Sequence, residues 1–306
     1  MILSCGEALI DMLPRRSVEG EKAFAPCAGG AALNCAIALG RLGVPAGLFT
    51  GLSTDMFGAH LCDTLTDSKV AFDLAIRFDL PTTLAFVQLV EGQAKYAFFD
   101  ENTAGRMILP SQLPKIPTSV EALLLGGISL IGEPCGATYE VLMQRQEKHQ
   151  VTMIDPNIRP SFITDEAAFR ARLTRMLAMA DIVKVSDEDL HWIYGPGDLG
   201  DLAKGLLSDG AKVVLVTQGA SGATGYTKGE TLFVAASKVD VVDTVGAGDT
   251  FNAGVLASLF QTQNLTKQSV ANLGSDSLRQ ALDLGIRAAA VTVSRAGANP
   301  PWASEL

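Results

Sequence analysis

Aromatic side chains are scarce in this 306-residue chain: four Tyr and two Trp stand beside thirteen Phe, 6% in all. With thirty glycines, that suits a turn-rich enzyme better than an aromatic-rich binding module. Histidine is scarcer still, and the scatter of His60, His149 and His191 argues against a His-built metal centre. The five cysteines (5, 27, 35, 62 and 135) are odd in number and contain no Cys-x-x-Cys pair. Reduced thiols are therefore expected, with neither a disulfide frame nor a zinc cluster. Positive charge is short as well: 24 Lys+Arg against 33 Asp+Glu leave a net charge of −9, and no basic run exceeds Arg15-Arg16. A general nucleic-acid partner is excluded on that ground. The longest nearly apolar run, Ala122 to Gly132, is too short to span a bilayer. The start, MILSCGEALIDML, puts Glu7 and Asp11 where a signal peptide needs hydrophobes. A soluble cytoplasmic chain without a membrane partner is expected. Neither G-x-x-x-x-G-K-[ST] nor G-x-S-x-G is present, which argues against a P-loop enzyme and an α/β-hydrolase. Gly195-Pro196-Gly197-Asp198-Leu199-Gly200 fits G-x-G-x-x-G but follows a helical stretch, Glu188–Tyr194, where a dinucleotide site needs a strand. It reads as a loop.

What is there is a large apolar fraction, 48%, with only 19% charged residues, enough for a sizeable core. Strand-length runs alternate with helical-period segments: 2–5, helix Ala31–Leu42, strand Ala46–Thr50, helix Phe57–Leu65. The short β-rich runs Leu123–Leu125, Val151–Ile154, Ile182–Val185 and Val213–Thr217 follow, with amphipathic stretches between them. This alternation predicts an α/β fold with a mostly parallel sheet and helices on both faces. Ligands then belong beyond the carboxyl ends of the strands. Residues 12–27 and a hairpin over 82–99, turning at Glu91-Gly92-Gln93, break the pattern. They predict a small β element, either a lid over the pocket or a plain edge hairpin.

Four segments can carry chemistry. In Asp243-Thr244-Val245-Gly246-Ala247-Gly248-Asp249, small residues at 246–248 let free N–H groups gather at the start of a helix running to about Phe260, an anion site with Asp249 beside it. The alternative is an ordinary helix start with a favourable acid. In Asp155-Pro156-Asn157-Ile158-Arg159-Pro160 the prolines hold Asn157 and Arg159 in a loop at a strand end. Arg159 suits phosphate oxygens there, or is a solvated surface residue. Asp11, inside the apolar run 9–13, either pairs with a buried cation or faces a polar ligand. Gly29-Gly30 then permits close backbone approach to a ligand, or acts as a hinge, with Asn34 one helical turn on. Last, Val213–Thr217 runs into Gln218-Gly219-Ala220-Ser221-Gly222, a nucleotide turn or a hairpin turn.

Taken together, GEALIDM at 6–12, AGGAALNCAIALGRLG at 28–43, GLSTDMFG at 51–58, DPNIRP at 155–160, VTQGASGA at 216–223 and DTVGAGDTF at 243–251 resemble the PfkB, ribokinase-like family of sugar kinases, most of all its bacterial fructokinases. The resemblance implies one ribokinase-like domain over 1–306, a three-layer sandwich with a β lid from about 12–27 and 69–109. It implies transfer of the γ-phosphoryl group of ATP to a sugar hydroxyl with Mg²⁺, fructose being phosphorylated at the 6-position. Asp249 matches the catalytic base, and Gly246, Ala247 and Gly248 match the anion hole. Asp11, Gly29, Gly30, Asn34 and Arg159 match the substrate side, with Phe98 and Tyr96 either walling the pocket or simply packing. Lys184, Thr217, Gly219 and Gly222 match the nucleotide side. In several members a monovalent cation, K⁺ among them, lies near the segments matching Asp243–Val245 and Arg295–Gly297. Two departures stand out. Ser186-Asp187-Glu188-Asp189 replaces the family's Asn-x-x-Glu, leaving Asp189 as the metal-side carboxylate. Asp100 stands where fructokinases often carry Arg, which favours a neutral ketose over a sugar acid. The alternatives are another small substrate (ribose, 2-keto-3-deoxygluconate, a nucleoside) or a non-catalytic sugar sensor. A homodimer through the lid is a further expectation.

Overall fold

The computed structural model describes residues 1–90 and 93–306; the expected hairpin turn at Glu91-Gly92 lies outside them. In chain order the elements are β1 (Ile2–Cys5), β2 (Leu9–Arg16), β3 (Lys22–Gly29), α1 (Ala31–Arg41), β4 (Ala46–Phe49), β5 (Gly51–Ser53) and α2 (Met56–Asp67). There follow β6 (Val70–Ala71), β7 (Ile76–Phe78), β8 (Leu84–Val90), β9 (Gln93–Phe99), β10 (Ala122–Gly126), α3 (Cys135–Gln146) and β11 (Val151–Asp155). The carboxyl half holds α4 (Glu166–Met179), β12 (Ile182–Ser186), α5 (Asp187–Tyr194), α6 (Leu199–Asp209), β13 (Val213–Thr217), β14 (Gly222–Thr227) and β15 (Thr231–Ala235). It closes with α7 (Ala247–Gln261), α8 (Lys267–Ala271) and α9 (Ser275–Val293).

Nine strands form the central sheet in the order β15-β14-β13-β12-β11-β10-β1-β4-β6, parallel from β13 to β6, with β14 and β15 antiparallel at one edge. Strand residues send successive side chains to opposite faces, and both faces here are dry. In β10, Ala122 and Leu124 join the core under α1, α7 and α9, whereas Leu123 and Leu125 join the core under α3 and α4. A strand buried on both sides needs apolar residues throughout, which is why these strands read as continuous hydrophobic runs and not as alternating ones. Helix–sheet–helix layering follows. None of the described helices is long and apolar enough to cross a membrane.

Helix α7 is held closest of all. A methyl on Gly254 would lie 2.6 Å from Gly285 Cα in α9, so the two backbones touch. Gly254 of α7 and Gly285 of α9 admit an approach that any larger side chain would prevent.

A second sheet, β3-β2-β8-β9, stands apart from the first. From the expected lid stretch 69–109 it takes only Leu84 to Phe99: β6 pairs with β4 in the central sheet and β7 with β5. On one face Phe24, Phe86 and Phe99 meet edge to face, with centroids 5.1 and 5.5 Å apart. Phe24 and Phe99 are 47% and 61% exposed. The expected loop at 195–200 is a loop only to Asp198, whose side chain accepts from Asp201 N–H and starts α6.

Candidate active site

The glycine turn before α7 is built by backbone conformation. Gly246 has φ +77°, the left-handed region that favours glycine, and a methyl there would sit 2.7 Å from Ala298 Cβ. No side chain caps this helix. The first turn-closing bond runs from Thr250 N–H to Gly246 O (2.9 Å), and among the described residues the N–H groups of Gly248 and Asp249 meet no acceptor. Two free donors at the positive end of a long helix form an anion site. Asp243 shapes the approach to it: its carboxylate accepts from Val245 N–H (3.0 Å) and from Gly297 N–H (2.9 Å), so both oxygens serve backbone amides.

Asp249 lies in that first turn and is buried. Burial raises its pKa from the ordinary 3.8 to about 7; the Asn34 hydrogen bond and the Lys184 charge oppose the rise, and the Asp155 charge adds to it. Asn34 donates through Nδ2 to Asp249 Oδ2 at 2.9 Å, joining α1 to α7. Its Oδ1 is buried without a donor among the described residues.

Lys184, expected on the nucleotide side, has its ammonium beside the anion turn, where a methyl on Gly248 would be 3.1 Å from Nζ. It donates to Asp155 Oδ2 at 2.9 Å, and Asn252 donates to the same oxygen at 2.7 Å. Burial alone would lower the Lys184 pKa, yet the adjoining Asp155 carboxylate leaves it raised, and the side chain stays charged.

Asp11 is half-buried on β2, paired with Cys27 across the sheet. Its pKa is pushed up to about 6 by burial and, less, by the Asp243 charge. A methyl on Gly29 would collide with the Asp11 carboxylate, which explains the glycine there as an approach of backbone to an acid. Gly30 is the N-cap of α1.

Asp11, Gly29, Gly30, Asn34, Asp249, Lys184 and the 243–248 turn thus come together, while Arg159 and the 217–222 turn make no hydrogen bond to this cluster. Arg159 is exposed and donates to Ile158 O. Thr217 donates to Val185 O (3.4 Å), and Gly219 lies in a short exposed turn. Gly222 opens β14, which runs back antiparallel to β13, so this turn is a hairpin and also stands at a strand's carboxyl end. Phe98 is half-buried and set edge-on to Phe162, with centroids 4.0 Å apart. Asp189, expected on the metal side, is engaged in structure. Its Oδ1 accepts from Ile158 N–H (3.0 Å), and Ser186 and Asp189 form a reciprocal capping box at the start of α5. Among the described residues no group of three His, Cys, Asp or Glu could hold a metal ion.

Three residues escaped the sequence reading. Asp155 anchors Lys184 and Asn252 donates to Asp155, and the hint in the sequence was a carboxylate ending the apolar run 151–154. Glu7, buried, accepts from Ala31 N–H (3.0 Å) and Ser129 N–H (3.2 Å), fixing the start of α1 next to Gly30. Its burial raises its pKa. In Glu7→Gln an NH₂ group must face one of those two N–H donors, so a loss of about 1–3 kcal/mol is expected in chemical denaturation. Unchanged stability would show that the clamp is dispensable.

A model of the pfkB family of carbohydrate kinases matches residues 1–305. The chain is 55% identical over 283 residues to the fructokinase of Rhizobium leguminosarum bv. trifolii, covering 92% of this chain and 87% of that protein. It is 32% identical over 309 residues to probable fructokinase-2 of Arabidopsis thaliana, covering 98% and 92%. The structure of the Xylella fastidiosa fructokinase with bound ATP superposes with a TM-score of 0.89 at 29% identity, over 97% of this chain and 93% of that one. The Vibrio cholerae O395 fructokinase with fructose, ADP and calcium ion does so at 0.83 and 25%, over 97% and 94%. With a layered sheet of this topology and a family match running from the first residue to the last but one, the chain belongs to the pfkB family of carbohydrate kinases.

Proposed function

We propose that this chain transfers the γ-phosphoryl group of ATP to the 6-hydroxyl of D-fructose. One observation carries the reading: a buried carboxylate, Asp249, shares a helical turn with two free N–H donors and adjoins a buried ammonium, Lys184. That set needs an acidic proton to receive and an anion to stabilise, as in phosphoryl transfer to a hydroxyl. Fructose is favoured by the 55%-identical fructokinase and by the fructose-bound Vibrio enzyme.

In this reading the sugar is held through its hydroxyls by Asp11, Asn34 and the Gly29-Gly30 backbone, with Phe98 as a wall. Asp249 takes the proton of the attacking hydroxyl. The free N–H groups of Gly248 and Asp249, presented by the Gly246-Ala247-Gly248 turn, with Lys184 neutralise charge on the transferring group, and preformed dipoles in a dry site are effective there. Arg159 meets phosphate oxygens, and Thr217, Gly219 and Gly222 meet the nucleotide. The described side chains do not form a ready cage for Mg²⁺, so the ion would ride on the nucleotide's phosphates. With both Asp243 oxygens on amides, a K⁺ ion here would be held by loop carbonyls. The second sheet acts as a lid that excludes water, which otherwise competes as acceptor. The free cysteine thiols and the use of ATP support a cytoplasmic setting.

The test is ADP release with ATP and Mg²⁺ over fructose, glucose, mannose, ribose, 2-keto-3-deoxygluconate and adenosine. Selective turnover of fructose is expected. Preference for another member would overturn the substrate and keep the chemistry; silence across the panel would overturn both.

The Phe24–Phe86–Phe99 face of the lid sheet supports a homodimer, since Phe24 and Phe99 are exposed on either side of half-buried Phe86 and contiguous apolar surface marks an interaction site. Sedimentation should show a dimer, and Phe24→Lys with Phe99→Lys should show a monomer. A monomeric parent chain would discard the dimer.

A further inference from the structure

At the opposite end of the central sheet from Asp249 lies a groove of about 690 Å³. It opens at the amino-terminal ends of β10 and β11, between the loop before β10 and the end of α3. Leu113, Pro114, Ile116 and Val120 give it an apolar lining, Lys115 stands on the same loop, and Arg145 and His149 line it from the end of α3 and the loop after it.

Two features make this more than a surface crease. First, neither Lys115 nor Arg145 has an ion pair or side-chain hydrogen bond among the described residues, in a chain whose net charge is −9. The negative end of α3 accounts for Arg145, which sits in its last turn. It does not account for Lys115 on the facing loop. Second, Gln150 lines the same groove and is 7% exposed, and its buried Oε1 accepts no hydrogen bond among the described residues. A buried acceptor left unpaired costs about 1–3 kcal/mol. The cost is removed when an N–H of a ligand, or a water at its edge, donates to it.

We propose that this groove binds a nucleotide as a second, non-catalytic site. The Lys115 and Arg145 cations suit phosphate oxygens, the exocyclic N–H of a base suits the Gln150 acceptor, the apolar lining suits the flat face of that base, and the volume lies in the range of small-molecule sites. A sugar phosphate offers the anion without the apolar face. The site also has a route to the chemistry. Gln150 directly precedes β11, and that strand of five residues ends at Asp155, which holds Lys184 against the anion turn. A rise of roughly 3.3 Å per residue makes the strand a short rigid link between the two ends of the sheet. Occupancy is therefore expected to change turnover.

The experiment is calorimetric titration of the whole protein with ADP, alongside a Lys115→Ala/Arg145→Ala variant. Both residues are exposed and outside the catalytic cluster, so the variant should fold and turn over normally at low ADP. Two equivalents of ADP per chain are expected for the parent, and one for the variant, the lost site weakening at least tenfold. A single equivalent in both proteins, or a second one that survives the substitutions, overturns the proposal. Fructose 6-phosphate or inorganic phosphate displacing the second equivalent at lower concentration than ADP overturns the nucleotide assignment. Failure of the fructose reading leaves this count untouched, because the first equivalent and the second are scored separately.

Discussion

Asp249→Asn is expected to lower kcat by at least about 10²-fold, the lower range for a general base, while the KM for the sugar stays near its parent value. The amide keeps the size of the side chain and its place beside Asn34 but cannot take a proton. In the parent enzyme the carboxylate must be ionised to act, and its pKa stands raised to about 7. The acid limb of kcat/KM, which reports the free enzyme, should therefore fall as pH drops through 7, and the Asn variant should lack that limb. Stability should move the other way. Between the ordinary 3.8 and about 7 the folded chain holds a proton that the unfolded chain has released. Folding stability attributable to this group thus declines as pH rises through that window. Asp249→Asn removes the burden, so thermal unfolding at pH 8 should show the variant as stable as the parent or more so. A dead enzyme that is also less stable at pH 8 would point to lost structure in place of a lost base.

Asp155→Ala is expected to destabilise the protein by about 3–5 kcal/mol, because it strands the Lys184 ammonium in the interior. Asn252 Nδ2 loses its acceptor in the same stroke. Lys184→Met alone leaves a buried carboxylate unpaired and should also be costly. The double variant should be less damaged than the two losses summed, and the shortfall measures the pair. Denaturant titration of all four proteins reads it. Strict additivity would mean that Lys184 does not depend on Asp155. Activity should fall in every variant that removes or frees the ammonium beside Gly248.

The strands of the central sheet were legible because burial on both faces leaves an unbroken apolar run, as in Leu123–Leu125. The anion turn was legible for a related reason: Gly246-Ala247-Gly248 before an acid has few other uses. Pairings were not. Lys184 meets Asp155 across 29 positions and Asn252 meets Asp155 across 97, and no local spacing encodes such contacts. The expected second lid segment started too early because Val70–Ala71 and Ile76–Phe78 look like any short β run; only partner strands distinguish one sheet from another. Asp189 shows the limit of carrying a role by position: the carboxylate is present, but a capping box engages it. The 218–222 segment stayed ambiguous because a hairpin turn and a phosphate loop both call for glycine.

The contact of Gly254 with Gly285 has a consequence for how this enzyme can change over generations. Asp249 rides on a helix whose neighbour leaves no room for a methyl group at Gly254 or Gly285, so a larger side chain at either position displaces that carboxylate. Asp11 rides on a separate sheet joined to the main body through few elements. Substitutions there can reshape what is gripped without disturbing how the phosphoryl group moves. New sugars should thus be acquired by drift in the outer sheet, while lineages that lose the seam lose the reaction altogether.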